Sequence, residues 1–212
     1  MDRCDSVGDL LQNERLSSFE VCRSEDEMLY SVKPWQQLDD RLLQKTRVFD
    51  LHAKRMRSPD DSYEGDFYYL RTADWVNVIA ITDQDELVLI EQFRHGISQP
   101  TLECPGGMLD PGEEDHLAAA KRELEEETGY SAPQIVPIGM VHPNPALLNN
   151  RCFFYAAEHA QLSKAQHLDD SEDIAVRLVP LHEVPKLIAT GKITHAMVIN
   201  AFYFFSEYRR SR

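Results

Sequence analysis

The chain has 212 residues, 42% of them hydrophobic and 27% charged, with 36 acidic against 22 basic side chains and a formal net charge of −14. That length can bury one good core with an arm attached. The acidic balance argues against an extended nucleic-acid or anionic-membrane surface, because phosphate contacts need lysine and arginine.

Residues 1–33 are charged and weakly patterned and read as an extension, partly flexible. No run of about 18 apolar residues occurs and the first residues carry no apolar leader core. The four cysteines, Cys4, Cys22, Cys104 and Cys152, show neither CxxC spacing nor the density of a disulfide scaffold, so a cytoplasmic protein is expected. Residues 34–73 read as a β arm. Thr46 to Met56 alternates with Phe49, Leu51 and Ala53 on one side, and Phe67 to Arg71 follows a Ser58-Pro-Asp-Asp turn, which gives a hairpin.

Residues 74–212 carry the remaining pattern. Val76–Thr82 and Glu86–Phe93, joined by Asp83-Gln-Asp85, form a mostly apolar second hairpin. A helix is predicted over Glu114–Thr128, stopped by Gly129. Ile135–Val141, Cys152–Ala157 and Ile174–Val179 read as strands, and Glu183–Thr190 and Thr194–Tyr208 as closing helices. Strands on both sides of a helix, followed by helices, point to an α/β (α+β) chain: an α/β/α sandwich around a mixed sheet with an N-terminal β-hairpin arm.

The predicted helix over Glu114–Thr128 ends in Glu123, Glu125, Glu126 and Glu127. Acids at the negative pole of a helix dipole are disfavoured by roughly 0.3–1 kcal/mol each. Glu123, Glu126 and Glu127 also share one face at i, i+3 and i+4, where like charges repel. Glu125 points about 160° from Glu127 and is expected to be solvated. Arg122 is spaced to pair with Glu126 or Glu125. An oxygen-only cluster suits a hard divalent ion, Mg²⁺ or Mn²⁺, which keeps positions open for water and substrate phosphates.

The stretch from Gly107 to Tyr130 resembles the Nudix box. Gly107, Glu113 and nine consecutive positions from Arg122 to Tyr130 fit, with one departure: eight residues, not seven, separate Glu113 from Arg122. Taking Glu114 as the first glutamate moves the surplus residue into the loop. Leu87–Arg94 and Thr101–Gly107 are similar to the ADP-ribose pyrophosphatase and nucleoside-diphosphate-sugar branch of that family.

The resemblance implies hydrolysis of the diphosphate bond of a nucleoside-diphosphate sugar such as ADP-ribose, with Mg²⁺ as cofactor and Mn²⁺ as a substitute. By the same likeness Glu123 and Glu127 are principal metal ligands, Glu126 a further one and the Gly106 carbonyl a backbone one, while Arg122 holds the glutamates. Arg94 would bind phosphate and Glu103 help to build the site. The acidic loop Asp169–Ile174 would supply the base, Glu172 first and then Asp170 or Asp173. His142 and Asn149-Asn-Arg151 could border a sugar site. The branch also implies a homodimer, with Trp75, Phe67, Tyr68 and Tyr69 near the arm and a partner's base pocket. NADH, a dinucleoside polyphosphate or GDP-mannose are alternative substrates, and a ligand sensor without catalysis is the reading from another class.

Overall fold

Gln36–Lys45 (β1), Asp50–Arg57 (β2) and Glu64–Arg71 (β3) make a three-stranded sheet in that order in the computed structural model, which describes residues 31–168 and 172–212. The expected hairpin is β2 and β3, and β1 extends it by pairing antiparallel with β2. Every residue of β1 is exposed, so apolar burial does not hold it. Polar pairs do: Asp40 accepts from Tyr69 Oη at 2.9 Å and stands 2.9 Å from His52 Nδ1, and Arg41 reaches Asp66 at 2.6 Å. The Asp40 carboxyl is held below its ordinary value by these partners against the opposing effect of burial. Trp35, Tyr63 and Phe67 meet edge to face beside them. Residues 31–70 with 209–212 form one compact unit, and 71–208 a second. Residues 1–30, which hold Cys4, Cys22 and most of the expected extension, lie outside the described residues.

The second unit is built on Trp75–Ile81 (β4) and Glu86–Arg94 (β5), followed by Gln99–Glu103 (β6), His116–Thr128 (α1), Tyr130–Ser131 (β7), Gln134–Val141 (β8), Cys152–Glu158 (β9), Gln161–Leu162 (β10), Ile174–Pro180 (β11), a 3₁₀ turn at Leu181–Glu183, Val184–Ala189 (α2) and Ala196–Arg210 (α3). The main sheet runs β11-β5-β4-β9-β8, with β6 also on β5. Its β4–β9 pair is parallel and the others antiparallel, which makes it mixed. β7 and β10 form a separate two-stranded pair.

β4 is apolar on both faces because both faces are covered. Val76, Val78 and Ala80 pack with Val88 against Ala119, Ala120 and Leu124 of α1. Ile79 and Ile81 pack with Leu87 and Leu89 against Val198, Ala201, Phe202 and Phe205 of α3. Full burial of such a side chain contributes roughly 1.5–3 kcal/mol, so the two cores fix α1 and α3 to opposite faces. Cys104 and Cys152 are buried free thiols in the second core. Among the described residues no helix is long and apolar enough to cross a membrane.

One irregularity of the sheet prepares the site. β4 and β5 pair at Ile81 and Leu87, and towards the other end β6 takes over that edge of β5, from Ile90–Glu103 to Arg94–Gln99. The chain then crosses to β4, where Val78 N–H donates to Pro105 O and Val76 N–H to Gly107 O, both at 2.9 Å. The turn Pro105-Gly106-Gly107 is thereby laid against the sheet where strands β4 and β5 part.

Candidate active site

α1 begins at Asp115, whose Oδ1 accepts from Leu117 N and Ala118 N at 3.0 Å each, and it stops at Gly129, left-handed at φ 73°. Its apolar face, Ala119, Ala120 and Leu124, is buried on the sheet, and this fixes the rotation of the last turns. Glu123 and Glu127 are consequently carried inward, 9% and 4% exposed. Glu126 stays half-exposed at the edge. Glu125 points away as expected but is ion-paired rather than solvated, with Lys164 Nζ 2.6 Å from its Oε2.

The glycine turn meets these glutamates. Gly106 N–H donates to Glu127 Oε2 at 2.7 Å, and a Cβ at Gly106 would collide with the Val76 carbonyl. A Cβ at Gly107 would lie 2.5 Å from Glu123 Oε1. Gly106 therefore requires glycine for its close approach to the β4 backbone and its positive φ of 155°, while at Gly107 a larger residue would push the Glu123 carboxylate aside. Pro105 O and Gly107 O are both spent on β4, and Gly106 between them presents its N–H to Glu127.

Arg122 organises the outer side. Its Nη1 lies 3.0 Å from both Glu123 Oε1 and Glu126 Oε2, and its Nη2 lies 3.3 Å from Glu113 Oε2. Glu113 also accepts from Asp110 N at 3.0 Å. Of the two ways to place the surplus residue, the structure thus makes Glu113 the glutamate tied to the box arginine, and the extra residue falls between it and the start of α1.

Burial pushes the Glu127 carboxyl up to about 9 against the Gly106 N–H, with Glu123 and Glu172 adding to the rise. Burial likewise pushes Glu123 up to about 7 against the pull of Arg122, with Glu126 and Glu172 adding. Two desolvated carboxylates with a third close by are a site short of positive charge. As the side chains stand, no three His, Cys, Asp or Glu residues among those described converge on a point that could hold a metal, since Arg122 and the Gly106 N–H take carboxylate oxygens. The donor set itself, clustered carboxylates, is the type that hard divalent ions take.

A second group stands at the end of β5. Arg94 grips Glu103 with two bonds, Nε to Oε1 at 2.7 Å and Nη2 to Oε2 at 2.8 Å, and Thr101 Oγ1 donates to Oε1 at 2.5 Å. Burial alone would raise the Glu103 carboxyl, but Arg94 and Thr101 hold it below its ordinary value. Arg94 borders a cleft of about 1000 Å³ together with Phe93, His95, Glu172, Asp173 and His195, and its charge is felt at Glu127.

Of the three expected base candidates, Glu172 is the one whose charge acts on both Glu123 and Glu127. Asp173 lines the cleft, and Asp170 lies outside the described residues. His195, at the entry to α3, was not signalled by any motif, because a single histidine at a helix start has no local signature.

The loop residues expected to border a sugar site form a hydrogen-bonded network with the chain leading into β4. Asn149 Oδ1 accepts from Thr72 N and Asn150 Nδ2 donates to Ala73 O, both at 3.0 Å. Arg151 clasps Asp74 at 2.6 Å, His116 Nε2 stands 3.1 Å from the same carboxylate, and His142 Nδ1 lies 3.3 Å from Asn150 O. This network anchors the entrance to β4. Trp75 packs on the α3 side of the core, and Tyr69 is engaged by Asp40 within the arm, while Phe67 and Tyr68 are exposed.

Residues 72–202 match the NUDIX domain. The ADP-ribose pyrophosphatase of Bacillus subtilis (strain 168) is 27% identical over 173 residues, 79% of this chain and 92% of its own. The methanol dehydrogenase activator of Bacillus methanolicus is 30% identical over 130 residues, 61% of this chain and 70% of its own. The GDP-mannose pyrophosphatase of Yersinia pestis (strain Pestoides F) is 30% identical over 124 residues, 55% of this chain and 62% of its own. A crystal structure of an ADP compounds hydrolase has the same fold, with a TM-score of 0.75 at 21% identity over 85% of this chain and 97% of that one.

Proposed function

The chain belongs to the Nudix family as a Nudix hydrolase, and from that premise we propose that it hydrolyses the diphosphate bond of ADP-ribose or a related nucleoside-diphosphate sugar, releasing a nucleoside monophosphate and a sugar phosphate. The observation that carries this reading is the meeting of buried Glu123 and Glu127 with the Gly106-Gly107 turn, with Arg94 of the neighbouring cleft acting electrostatically on Glu127. The similarity to an ADP-ribose pyrophosphatase over most of both chains supports the substrate class.

A diphosphate presents its own negative charge to any nucleophile, so the site must neutralise that charge and orient a water in line with the bond. Glu123 and Glu127, with Glu126 and the Gly106 carbonyl, would hold Mg²⁺, with Mn²⁺ as a substitute, and a divalent ion there supplies charge neutralisation and acidifies water. Arg122 bridges Glu123 and Glu126 to Glu113 and so holds their carboxylates in place. Arg94, its Nε and Nη2 spent on Glu103, presents Nη1 for a phosphate oxygen. Glu172, close enough to raise both box glutamates, takes the proton from the attacking water, with Asp173 and Asp170 as the neighbouring carboxylates that could replace it.

Homodimer assembly and a cytoplasmic setting belong to the same proposal. Exposed Leu38, Leu42 and Leu43 on β1, with Phe67 and Tyr68 on β3, give the arm an apolar surface that a second copy could cover. Light scattering coupled to gel filtration checks the dimer.

Turnover of a panel with Mg²⁺ tests the function: ADP-ribose, GDP-mannose, NADH and a dinucleoside polyphosphate. ADP-ribose is expected among the best substrates. Preference for GDP-mannose would move the substrate assignment towards the Yersinia relatives, and no turnover of any member would favour a ligand sensor.

A further inference from the structure

Glu103 is the most deeply buried carboxylate among the described residues, 1% exposed. Its Oε1 takes two hydrogen bonds, from Arg94 and Thr101, while its Oε2 takes one, from Arg94. A buried carboxylate oxygen has room for a further donor, and His195 Nε2 stands 3.8 Å from Oε2. The ring comes from the residue immediately before α3, whose carbonyl accepts from Ile199 N at 3.1 Å and so closes the first turn of the helix, and its place is therefore set by the helix and not by a loose loop. It lines the same cleft as Arg94. Its Nδ1 is buried with no hydrogen-bond partner among the described residues, a cost that calls for a reason.

Burial lowers the imidazole's proton affinity, with Glu103 opposing and Arg94 adding to the effect. A neutral ring carries one N–H. With the proton on Nε2 the ring serves Glu103, and Nδ1 is then a bare acceptor rather than an unpaired donor.

We propose that His195 is a positioning residue for the phosphate-binding arginine: its Nε2–H engages Glu103 Oε2 after a short ring rotation, and the fully engaged carboxylate holds the Arg94 guanidinium with Nη1 turned into the cleft. Bidentate guanidinium pairs depend on a fixed acceptor plane. A carboxylate free to rock would let Arg94 swing out of the cleft, where it is already partly exposed. The inference rests on the reading of Arg94 as a diphosphate ligand, and it adds a residue from the entry to α3 to a site otherwise made of β5, β6 and α1.

The test is calorimetric binding of inorganic pyrophosphate to the full chain without divalent metal, for wild type, His195→Phe and His195→Gln. Phenylalanine keeps the ring and loses the donor, whereas the glutamine amide can place an N–H where Nε2–H stood. His195→Phe is expected to weaken binding about tenfold and His195→Gln to stay within about threefold of wild type. In turnover of the panel's best substrate, His195→Phe should raise KM with kcat within about twofold. Should the phenylalanine variant not fold, His195→Asn, too short to reach Glu103, takes its place with the same expectation. Equal binding by all variants, equal weakening in both, or no pyrophosphate binding by wild type would each overturn the proposal. Pyrophosphate binding with the expected pattern but no turnover of any substrate would instead sink the hydrolase reading and leave the role of His195 standing.

Discussion

The two ends of α1 carry acids in opposite electrostatic circumstances. At the first turn Asp115 caps Leu117 and Ala118 and Glu113 ties down Arg122, where the dipole favours negative charge. At the last turns Glu123 and Glu127 are buried against the dipole, against each other and against Glu172. Acids at the first end stabilise the fold, and acids at the second cost stability that a bound cation and its substrate would offset. Stability and turnover should therefore respond in opposite directions at the two ends.

The largest effect is expected at the costly end. Glu127→Gln should lower turnover of the preferred substrate at least about a hundredfold, as loss of a metal ligand does, while its melting temperature without metal is unchanged or raised. Wild-type-like turnover would remove Glu127 from the chemistry.

The pH dependence of the metal-free protein comes next. Burial lifts the Glu127 carboxyl from its ordinary 4.5 to about 9. Below the ordinary value both folded and unfolded chains hold the proton and nothing is lost. Between the two values the unfolded chain is ionised while the folded one still binds the proton, so stability falls as pH rises, and the loss is complete above the raised value. Denaturant titrations from about pH 5 to about pH 9 should show a decline on the order of 5 kcal/mol, most of which Glu127→Gln removes, leaving the smaller part that belongs to Glu123. A rise in stability over that window would contradict the burial of this carboxylate.

At the favourable end Asp115→Ala should cost about 1 kcal/mol for a lost cap, read as a lower melting temperature, with turnover within about twofold of wild type. The smallest effect belongs to Glu125, which sits in the same run but faces Lys164 on the surface. Glu125→Gln should change stability by no more than about 0.5 kcal/mol, as an exposed ion pair does, and should leave turnover alone.

How much of this was legible followed from what holds each element. β4, β5 and β9 are apolar runs, and α1 has an alanine-rich face with a glycine stop, so local pattern located them. β1 was missed because its sequence, Gln-Gln-Leu-Asp-Asp-Arg-Leu-Leu-Gln-Lys, neither alternates nor is buried, and it is held by Asp40 between two strands met later in the chain. β6 is five residues long with a proline at its second position, and only its register on β5 makes it a strand. In the site, the box glutamates and Arg122 were readable because helical spacing puts them together. Glu113 could not be chosen over Glu114 from spacing, since an inserted residue leaves both within reach of a helix start, and the hydrogen bond to Arg122 decides it. His195 was invisible because its relation to Glu103 exists through the packing of α3 on the sheet. The anchoring role of Asn149–Arg151 could not be read from the sequence, because polar residues in a proline-bearing loop look alike whether they bind a ligand or hold a neighbouring strand.

The central claim is that the costly end of α1 holds a divalent cation. Titration of Mn²⁺ into the metal-free protein, followed by the loss of its free paramagnetic signal, measures this without any substrate. Wild type should bind, Glu127→Gln and Glu123→Gln should each bind at least about tenfold more weakly, and Asp115→Ala should bind as wild type does. Equal Mn²⁺ binding by wild type and both glutamine variants would contradict the account.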